Sequence, residues 1–340
     1  MGTALPTTPG RHMAAEIAQA PAVFAAACGA DHQREIAALH IAGCAAIYTI
    51  ARGSSDAAAN VLSYEFMREL GKPVTSLPPS IFSVGNGVDM GRAAAIVVSQ
   101  SGASDDLVRS ATGVRAAGGK VVAMVNQSGS NVEAAADLTL HINAGPELAV
   151  PATKSVIGSI ATGMAVLGAL SPAYAKRAKA DASLVLGVKD KPHPRAADLQ
   201  SALLRADHVY VVGRDTGFGA AQEVALKLKE CCAIHAEAYS SSEVLHGPLQ
   251  LVTNPLLILM LDTGQADIQA SLDMAEDRFR RAGGTVIRLR PSDLGAAVLT
   301  PAAAAAFLLY LTYPIILNVA LALGFDPDQP ATLSKVTQTT

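Results

Sequence analysis

The fold is decided by residues 93–108, which read AAAIVV, SQSGAS and DDLV in succession. The apolar run predicts a buried β-strand, and residues 105–108 predict the first turn of an α-helix. The polar turn between them gathers backbone N–H groups, serine hydroxyls and a helix N-terminus, a combination that can bind phosphate without a lysine. No Gly-Lys-Ser/Thr follows, so a nucleotide is not the first expectation. The alternative is an ordinary polar turn in which a serine caps the helix.

Composition predicts about two domains with closely packed helices and sheets. The chain has 340 residues, of which 50% are apolar but only 4% aromatic, and it contains no tryptophan. Such a composition suits helices on parallel sheets. A formal charge of −3 gives no reason to expect nucleic acid. The cysteines, at 28, 44, 231 and 232, lack the spacing of metal ligands, so no metal site is expected.

A cytoplasmic location without membrane insertion is expected. The N-terminus contains Pro6, Pro9 and Gly10 instead of the apolar core of a signal peptide. Residues 302–324 carry no charge and resemble a membrane span, but Pro314 and Asn318 interrupt them and no Lys or Arg flanks them. This segment is therefore interpreted as a buried helix of an α/β protein.

Two segments of the chain resemble each other, residues 47–59 (IYTIARGSSDAAA) and residues 209–221 (VYVVGRDTGFGAA). The spacing that separates Arg52 from Arg214 also separates Gly102 from Gly264. Each half is predicted to run strand, polar turn, helix, strand, polar turn, helix, Gly-Gly, strand. Alternating strands and helices imply βαβ units with ligand sites beyond the carboxyl ends of the strands. The predicted fold is therefore α/β, with two tandem doubly wound, flavodoxin-like parallel sheets in αβα sandwiches.

The two halves differ at the turn that could bind an anion. Residues 99–102 read SQSG, whereas the matching residues 261–264 read LDTG. The second turn places a carboxylate where an anion would lie. Only the first half is therefore expected to hold phosphate.

A second set of polar residues follows in the other half. Glu223, Lys227 and Glu230 are spaced i, i+4 and i+7, so they share one helix face. A solvated salt-bridge face is one interpretation, but the residues between them are largely apolar. Residues 235–248, HAEAYSSSEVLHGP, are dense in hydroxyls, carboxylates and imidazoles, and His246 precedes Gly-Pro in a predicted turn. A histidine near a partly buried carboxylate can serve in acid–base chemistry.

The C-terminal residues 328–337 read DQPATLSKVT. A frayed tail with a surface lysine is one interpretation. The Asp-Gln-Pro sequence instead favours a fixed turn that brings Lys335 to a defined place.

Seven groups of residues occur together in one order, namely GSS at 53–55, SQSGAS at 99–104, AGPE at 144–147 with TK at 153–154, ALKLKE at 225–230, IHAEAY at 234–239, Glu243 with HGP at 246–248, and DQP at 328–330 with Lys335. In this order and spacing they resemble the sugar isomerase (SIS) superfamily. Within it, the chain is similar to the isomerase half of glucosamine-6-phosphate synthase and to SIS-type glucosamine-6-phosphate deaminases. The expected organisation is a lead-in helix (1–30), a phosphate-binding SIS domain (31–186), a catalytic SIS domain (187–325) and a tail that closes the active site (326–340).

The resemblance implies a role for each matching residue. Glu230 would move a proton between C1 and C2, and His246 would open the sugar ring from a neighbouring subunit of a homodimer. Lys227 and Lys335 would lie near the reacting carbons, with Lys335 able to form a Schiff base, and Glu223 would orient the cluster. The sugar phosphate would be held by Ser55, Ser99, Gln100, Ser101 and Ser104, and the rest of the substrate by Gly53, Ser54, Glu147 and Val150.

Two residues depart from the family pattern, and no metal or cofactor is implied. Arg52 stands where a small residue is usual, and Ala103 replaces an acidic residue, so both could alter substrate preference. The chain is expected to lack the glutaminase domain that feeds ammonia to the synthase. The expected reaction is therefore the reverse one, from glucosamine 6-phosphate to fructose 6-phosphate and ammonia. The alternatives are an aldose–ketose phosphate isomerase, a fructosamine-6-phosphate deglycase and a non-catalytic sugar-phosphate sensor.

Overall fold

The first half of the chain forms a five-stranded parallel sheet. The computed structural model describes residues 8–187, 190–296 and 299–335. The strand order is β2-β1-β3-β4-β5, and all neighbours are parallel. The central strand is the apolar run that the sequence predicted, and every residue in it is buried. The strands are β1 (Ala46–Ile50), β2 (Val74–Ser76), β3 (Ala93–Ser99), β4 (Lys120–Val125) and β5 (Leu138–His141).

The second half repeats this arrangement with four parallel strands. The order is β7-β6-β8-β9, with β6 (His208–Gly213), β7 (His235–Ser240), β8 (Leu257–Leu261) and β9 (Thr285–Leu289). The matched glycines Gly102 and Gly264 both adopt positive φ, at 62° and 80°. The prediction of an α/β fold with two parallel sheets is confirmed. The sequence analysis did not predict the edge strands β2, β5 and β7, which are short or unusually polar.

Twelve helices are seen in the described residues: α1 (Arg11–Cys28), α2 (Gln33–Ala38), α3 (Gly53–Leu70), α4 (Ser80–Ser83), α5 (Asp105–Ala116), α6 (Asn131–Ala134), α7 (Lys154–Leu170), α8 (Pro172–Gly187), α9 (Ala196–Leu203), α10 (Thr216–Cys232), α11 (Gln269–Arg281) and α12 (Pro301–Ala322). Helix α5 covers the outer face of the first sheet, and α11 covers the outer face of the second. The inner faces of both sheets share one apolar cluster with α1, α3, α7, α8, α10 and α12. The two halves therefore bury a common middle layer.

Helices α3 and α10 lie against each other in this middle layer. Gly219 on α10 permits the close approach, because a Cβ there would lie 2.6 Å from Val61 Cγ2 and 2.9 Å from the Ala57 carbonyl oxygen. Both distances are too short for a methyl group. The contact brings α10, which belongs to the second half, beside the N-terminal half of α3 in the first half.

Helix α12 is the uncharged segment that the sequence analysis interpreted as a buried helix. In the part of the chain that the structure describes, it is the one helix long and apolar enough to cross a membrane, and 78% of its most apolar window is buried inside the protein. Its N-terminus is met by two buried carboxyl groups. Asp181 Oδ2 accepts hydrogen bonds from Thr300 Oγ1 at 2.6 Å and from the Thr300 backbone N–H at 3.2 Å.

Glu65 is the second carboxyl group, and it lies next to the backbone N–H of Ala302. Tyr174 Oη donates a hydrogen bond to Glu65 Oε1 at 2.8 Å. Burial raises the pKa of Glu65 to about 7, although the Tyr174 hydroxyl acts in the opposite direction. A carboxyl group placed at a helix N-terminus satisfies backbone donors that have no partner within the helix.

The C-terminal segment caps the first helix. Helix α1 begins after Gly10, which has no side chain to cap it. Asp328 accepts hydrogen bonds from the backbone N–H groups of His12 and Met13 at 2.8 and 2.9 Å, and Asp326 accepts one from Gly10 at 2.9 Å. The two ends of the described chain are thereby joined, and the segment that carries Lys335 is anchored.

We predict that Glu65→Gln makes the free energy of unfolding less dependent on pH. A carboxyl pKa that is higher in the folded state contributes stability below pH 4.5, and this contribution is lost as pH rises through about 7. Glutamine stays neutral at all these pH values. The decrease in the free energy of unfolding between pH 5 and pH 8 should therefore be smaller than in wild type by about 1–3 kcal/mol. Urea unfolding at several pH values measures this, with the exposed Glu35→Gln as a control. Parallel pH profiles for Glu65→Gln and wild type would contradict the prediction.

We also predict that Asp328→Ala destabilises the N-terminal turn of α1. Loss of a capping side chain costs about 0.5–2 kcal/mol. Hydrogen exchange at the His12 and Met13 amides should therefore become several-fold faster. The matched control is Asp31→Ala, which removes the exposed carboxylate that accepts from the Gln33 backbone N–H at 3.0 Å. Unchanged protection at residues 12 and 13 in the Asp328 variant would show that the cap contributes nothing.

Candidate functional site

A cleft of about 260 Å³ opens beyond the carboxyl ends of β1 and β3. These adjacent strands form the point where the sheet order reverses, since α3 leaves β1 toward the middle layer and α5 leaves β3 toward the outer face. Ligands of open α/β sheets bind at such points. The cleft is bordered by Arg52, Gly53, Ser54, Ser55, Ser99, Gln100, Ser101, Ser104, Leu107, Val150, Ala152, Glu230, Leu333, Ser334 and Lys335.

The residues predicted as binding or catalytic fall into three groups. Ten of them border the cleft directly: Gly53, Ser54, Ser55, Ser99, Gln100, Ser101, Ser104, Val150, Glu230 and Lys335. Three further residues do not border it but contact residues that do: Glu223 contacts Ser54, Lys227 contacts Glu230 and Glu147 contacts Lys335. His246 lies elsewhere. Sequence reasoning did not select Leu107, Ala152, Leu333 or Ser334, which carry no recognisable motif, and it noted Arg52 only as a departure.

The turn after β3 forms a concave, hydroxyl-rich loop. Ser99 Oγ accepts a hydrogen bond from the backbone N–H of Gly102 at 3.0 Å, and Ser101 Oγ accepts one from Ala103 at 3.3 Å. Gly102 has a φ of 62°, and a Cβ there would collide with the Ser130 side chain. Ser104 is the N-cap residue of α5, but its side chain makes no capping hydrogen bond. Its hydroxyl is therefore not committed to the helix, unlike in the ordinary capped turn.

The turn after β1 provides a second helix N-terminus at the cleft. Gly53 begins α3 with a φ of 53°, a conformation that favours glycine. Ser54 and Ser55 follow in the first turn, where the Ser55 backbone N–H donates a hydrogen bond to the Arg52 carbonyl oxygen at 3.1 Å and the helix dipole is positive. Two helix N-termini, α3 and α5, thus meet at one end of the cleft, and both favour an anion there.

A buried row of three charged residues lies on α10. Glu223 and Lys227 are 0% and 1% exposed, whereas the Glu230 side chain is 25% exposed at the cleft. Lys227 Nζ contacts Glu230 Oε2 and lies 3.6 Å from Glu223 Oε1. The interpretation as a solvated salt-bridge face is therefore wrong, because the apolar residues of α10 turn this face into the protein.

Burial and mutual contact shift the ionisation of this row. Burial raises the pKa of Glu223 to about 7, although Lys227 acts in the opposite direction. Burial alone would lower the pKa of Lys227, but the Glu223 and Glu230 carboxylates raise it above its usual value. Tyr313 Oη on α12 donates a hydrogen bond to Glu223 Oε1 at 3.1 Å. The Lys227 ammonium thus stays charged beside Glu230.

The C-terminal segment reaches the cleft and is not frayed as far as residue 335. Lys335 Nζ donates to the carbonyl oxygen of Ala149 at 2.6 Å and lies 3.5 Å from Glu147 Oε2. Glu147 is buried and also accepts hydrogen bonds from the backbone N–H groups of Thr153 and Ser155. Glu147 therefore shapes the loop against which Lys335 rests, and it does not face the cavity. Residues 336–340 of the predicted tail lie outside the described residues.

His246 is exposed and does not border the cleft of its own chain. It follows a short 3₁₀ turn (Glu243–Leu245) beyond the edge strand β7. The resemblance assigns His246 to the site of a neighbouring subunit, and that assignment stays a prediction.

The matching turn in the second half is already filled by a protein carboxylate. Asp262 is fully buried, and its Oδ1 accepts a hydrogen bond from the Gly264 backbone N–H at 2.9 Å. Its Oδ2 lies 2.7 Å from Arg288 Nη2 and 2.8 Å from Arg290 Nε. The structure therefore places the Asp262 carboxylate in this turn, as expected from the sequence.

Comparison with known proteins places this geometry in a family. The SIS domain profile matches residues 40–169 and 202–291. The glutamine–fructose-6-phosphate aminotransferase (isomerizing) of Aeropyrum pernix is 29% identical over 326 residues, which cover 87% of this chain and 51% of the relative. The same enzyme of Leifsonia xyli subsp. xyli is 30% identical over 362 residues, covering 95% and 58%. The chain thus spans about half the length of these curated relatives.

Solved structures share the fold over nearly their whole length. A provisionally assigned phosphosugar isomerase from Silicibacter pomeroyi DSS-3 superposes with a TM-score of 0.81 at 30% identity, covering 93% of this chain and 99% of that one. A glucosamine-6-phosphate deaminase from Thermotoga maritima gives a TM-score of 0.74 at 21% identity, covering 96% and 100%, which is a likeness of fold. The resemblance inferred from the motifs is confirmed, and the chain belongs to the SIS domain family.

Proposed function

We propose that the protein is an amino-sugar phosphate deaminase that converts glucosamine 6-phosphate into fructose 6-phosphate and ammonia. One observation carries the proposal. A single cleft has two helix N-termini and the hydroxyls of one half at one wall, and the carboxylate of Glu230 from the other half at another. The proposed division of labour follows the predicted domain boundaries, with phosphate bound by residues 31–186 and acid–base chemistry supplied by residues 187–325.

The phosphate group would be held by Ser55, Ser99, Gln100, Ser101 and Ser104. Hydroxyl and amide donors together with α3 and α5 stabilise the negative charge. Since the phosphate is remote from C1 and C2, its binding energy orients the reacting carbons without itself taking part in the reaction. Gly53, Ser54 and Val150 would contact the remainder of the sugar.

Glu230 would carry the proton transfer. In the open-chain aldehyde it removes the proton from C2 while O1 takes up a proton from water, which leaves an enolamine with a C1–C2 double bond. Return of the proton from Glu230 to C1, with loss of one proton from nitrogen to water, gives the ketimine. Water then adds at C2 and ammonia leaves, which yields the ketose. Such general acid–base catalysis accounts for about 10²- to 10⁴-fold in rate.

The lysines would stabilise the negative charge that develops on the substrate. The Lys227 ammonium lies between Glu223 and Glu230, so it can compensate charge near the reacting carbons while Glu223 and Tyr313 hold it in place. Lys335 enters from the C-terminal segment, and its amine could form a Schiff base with a ketose once it leaves Ala149. Glu147 would position Lys335 from behind.

A deglycase acting on a sugar phosphate that carries a larger amine is the second candidate. A cavity of about 540 Å³ lies between the end of α10 and the C-terminal segment, and Glu230 and Leu333 border both this cavity and the cleft. The amine substituent at C1 of a fructosamine 6-phosphate would have room there. An aldose–ketose phosphate isomerase would use the same proton transfer. Only its product, a sugar phosphate formed without release of ammonia, would distinguish it from a deaminase.

The site is proposed to be completed by a second copy of the chain. His246 is exposed and outside the cleft of its own chain, so ring opening by this imidazole requires a homodimer that brings it to the other cleft. A cytoplasmic location also stays a prediction.

We predict that the purified protein releases ammonia from glucosamine 6-phosphate but not from glucosamine, because the phosphate is needed for orientation. Glu230→Gln should lower kcat by at least about 100-fold with little change in KM, since the amide keeps the shape but cannot take a proton. Ammonia and fructose 6-phosphate are measured together. Release of no ammonia from either glucosamine 6-phosphate or galactosamine 6-phosphate would rule out the deaminase proposal.

The matched control for this variant is Glu237→Gln, on the edge strand β7 and outside the cleft. It should retain the activity of wild type. If the Glu237 and Glu230 variants behaved alike, Glu230 would have no special role in proton transfer.

We predict that inactive Glu230→Gln and His246→Asn chains restore activity when they are refolded together. A mixed dimer contains one cleft with both residues intact, so random mixing in equal amounts should recover about a quarter of wild-type activity. Each variant refolded alone is the control. No recovery from a mixture that demonstrably contains mixed dimers would show that His246 does not act across the interface.

A further inference from the structure

Arg52 occupies a position at the cleft that no motif of the chain explains. It is the residue before α3, and its side chain is 49% exposed and borders the cleft beside Ser55 and Ser104. Among the described residues that border the cleft, the cationic side chains are those of Arg52 and Lys335. Lys335 is already engaged with Ala149 and Glu147. Arg52 is therefore the cation that stands at the hydroxyl-rich wall.

The guanidinium of Arg52 is held in one orientation by a buried carboxylate. Its Nε and Nη2 lie 2.7 and 2.6 Å from Asp106 Oδ2. Asp106 is 0% exposed, and its Oδ1 accepts from the backbone N–H of Leu107 at 3.0 Å in the first turn of α5. The partner thus lies inside the protein, whereas the half-exposed Arg52 lies at the surface of the cleft.

This arrangement leaves donors for a ligand. A guanidinium has five N–H donors in a fixed plane, and two nitrogen atoms directed at one oxygen do not exhaust them. Fixing the plane in advance lowers the entropy lost when an anion binds, and arginine suits a phosphate because it can donate two parallel hydrogen bonds. The first turns of α3 and α5, which flank Arg52, favour negative charge at the same place.

We propose that Arg52 is a specificity-determining residue that selects substrates by the charge of their phosphate. It would supply the one formally charged contact to a phosphate that serine hydroxyls and backbone N–H groups otherwise hold. Asp106 acts as the positioning residue for Arg52. This inference rests on the proposed binding of a sugar phosphate in the cleft, and it does not depend on which reaction follows.

A purely structural role for Arg52 makes a different prediction. In that case Arg52 would serve to neutralise buried Asp106 and to hold α5 against α3. Removing either partner of the ion pair would then disturb the cleft in the same direction. The charge-selecting role instead predicts opposite effects, because Arg52 attracts the phosphate and Asp106 repels it. Asp106→Asn removes this repulsion but keeps a side-chain oxygen that can accept from Arg52, so the orientation of the guanidinium is retained.

The test is calorimetric binding of fructose 6-phosphate, inorganic phosphate and fructose to wild type, Arg52→Gln, Arg52→Lys and Asp106→Asn. Arg52→Gln should weaken both phosphate-containing probes by about 10- to 100-fold, as expected for loss of a hydrogen bond between charged groups. It should leave fructose binding unchanged. Arg52→Lys should recover part of the loss, and Asp106→Asn should bind phosphate at least as tightly as wild type.

The matched control is Arg109→Gln on the same helix as Asp106. Arg109 is 54% exposed, pairs with Asp105 and lies outside the cleft, so its loss removes one positive charge without a change at the site. Its phosphate affinity should stay within about two-fold of wild type, since exposed charges are screened.

The outcomes separate the inference from the function on which it rests. Failure of wild type to bind fructose 6-phosphate would remove the proposed function. Normal wild-type binding with unaltered affinity in Arg52→Gln, or an equal loss in Asp106→Asn, would overturn the role of Arg52 alone. If Asp106→Asn does not fold, the comparison of Arg52→Lys with Arg52→Gln decides, because restored charge must restore affinity.

Discussion

The buried ammonium of Lys227 is the constraint on which the rest of the site depends. A lysine that is 1% exposed must be paired, and Glu223 and Glu230 provide carboxylates on the same helix face. Removal of one partner from such a buried group costs about 3–5 kcal/mol, whereas an apolar replacement of the whole row could be harmless to stability. The charged row is therefore better explained by chemistry than by folding. Tyr313 on α12 and the close contact of α10 with α3 hold it at the cleft.

The rest of the site is arranged around that row by long-range contacts. The hydroxyl-rich turn comes from β3 and α5, and Glu230 comes from a helix more than a hundred residues later in the chain. Lys335 arrives from a segment that Asp326 and Asp328 anchor to α1. Helix α1 also holds the opposite loop, because Glu16 accepts a hydrogen bond from the Ala149 backbone N–H at 3.3 Å. One helix thus fixes both the segment that carries Lys335 and the loop on which it rests.

The sequence predicted the parts of the fold that local patterns specify. The run at 93–98 is a strand because uninterrupted apolar residues favour a strand buried on both faces, and Gly102 permits the left-handed turn after it. Edge strand β7 was not predicted, although His235 and Glu237 alternate with Ala236 and Ala238, because its small alanines give no strong apolar signal and the segment was interpreted only as a stretch rich in polar side chains. The motifs selected most cleft residues. They marked Arg52 only as a departure that could alter substrate preference, since its orientation depends on Asp106, which lies far along the chain.

The common middle layer has a consequence for how this molecule can evolve. Duplicated units in other chains can often be exchanged, deleted or recombined, because each one buries its own core. Here α3 packs on the first sheet and α10 on the second, and these two helices share one apolar cluster with α7 and α12. Either half in isolation would expose much of this surface to water and favour aggregation. The two repeated halves therefore form a single folding unit. Neither half could be exchanged or deleted during evolution without exposing the core of the other.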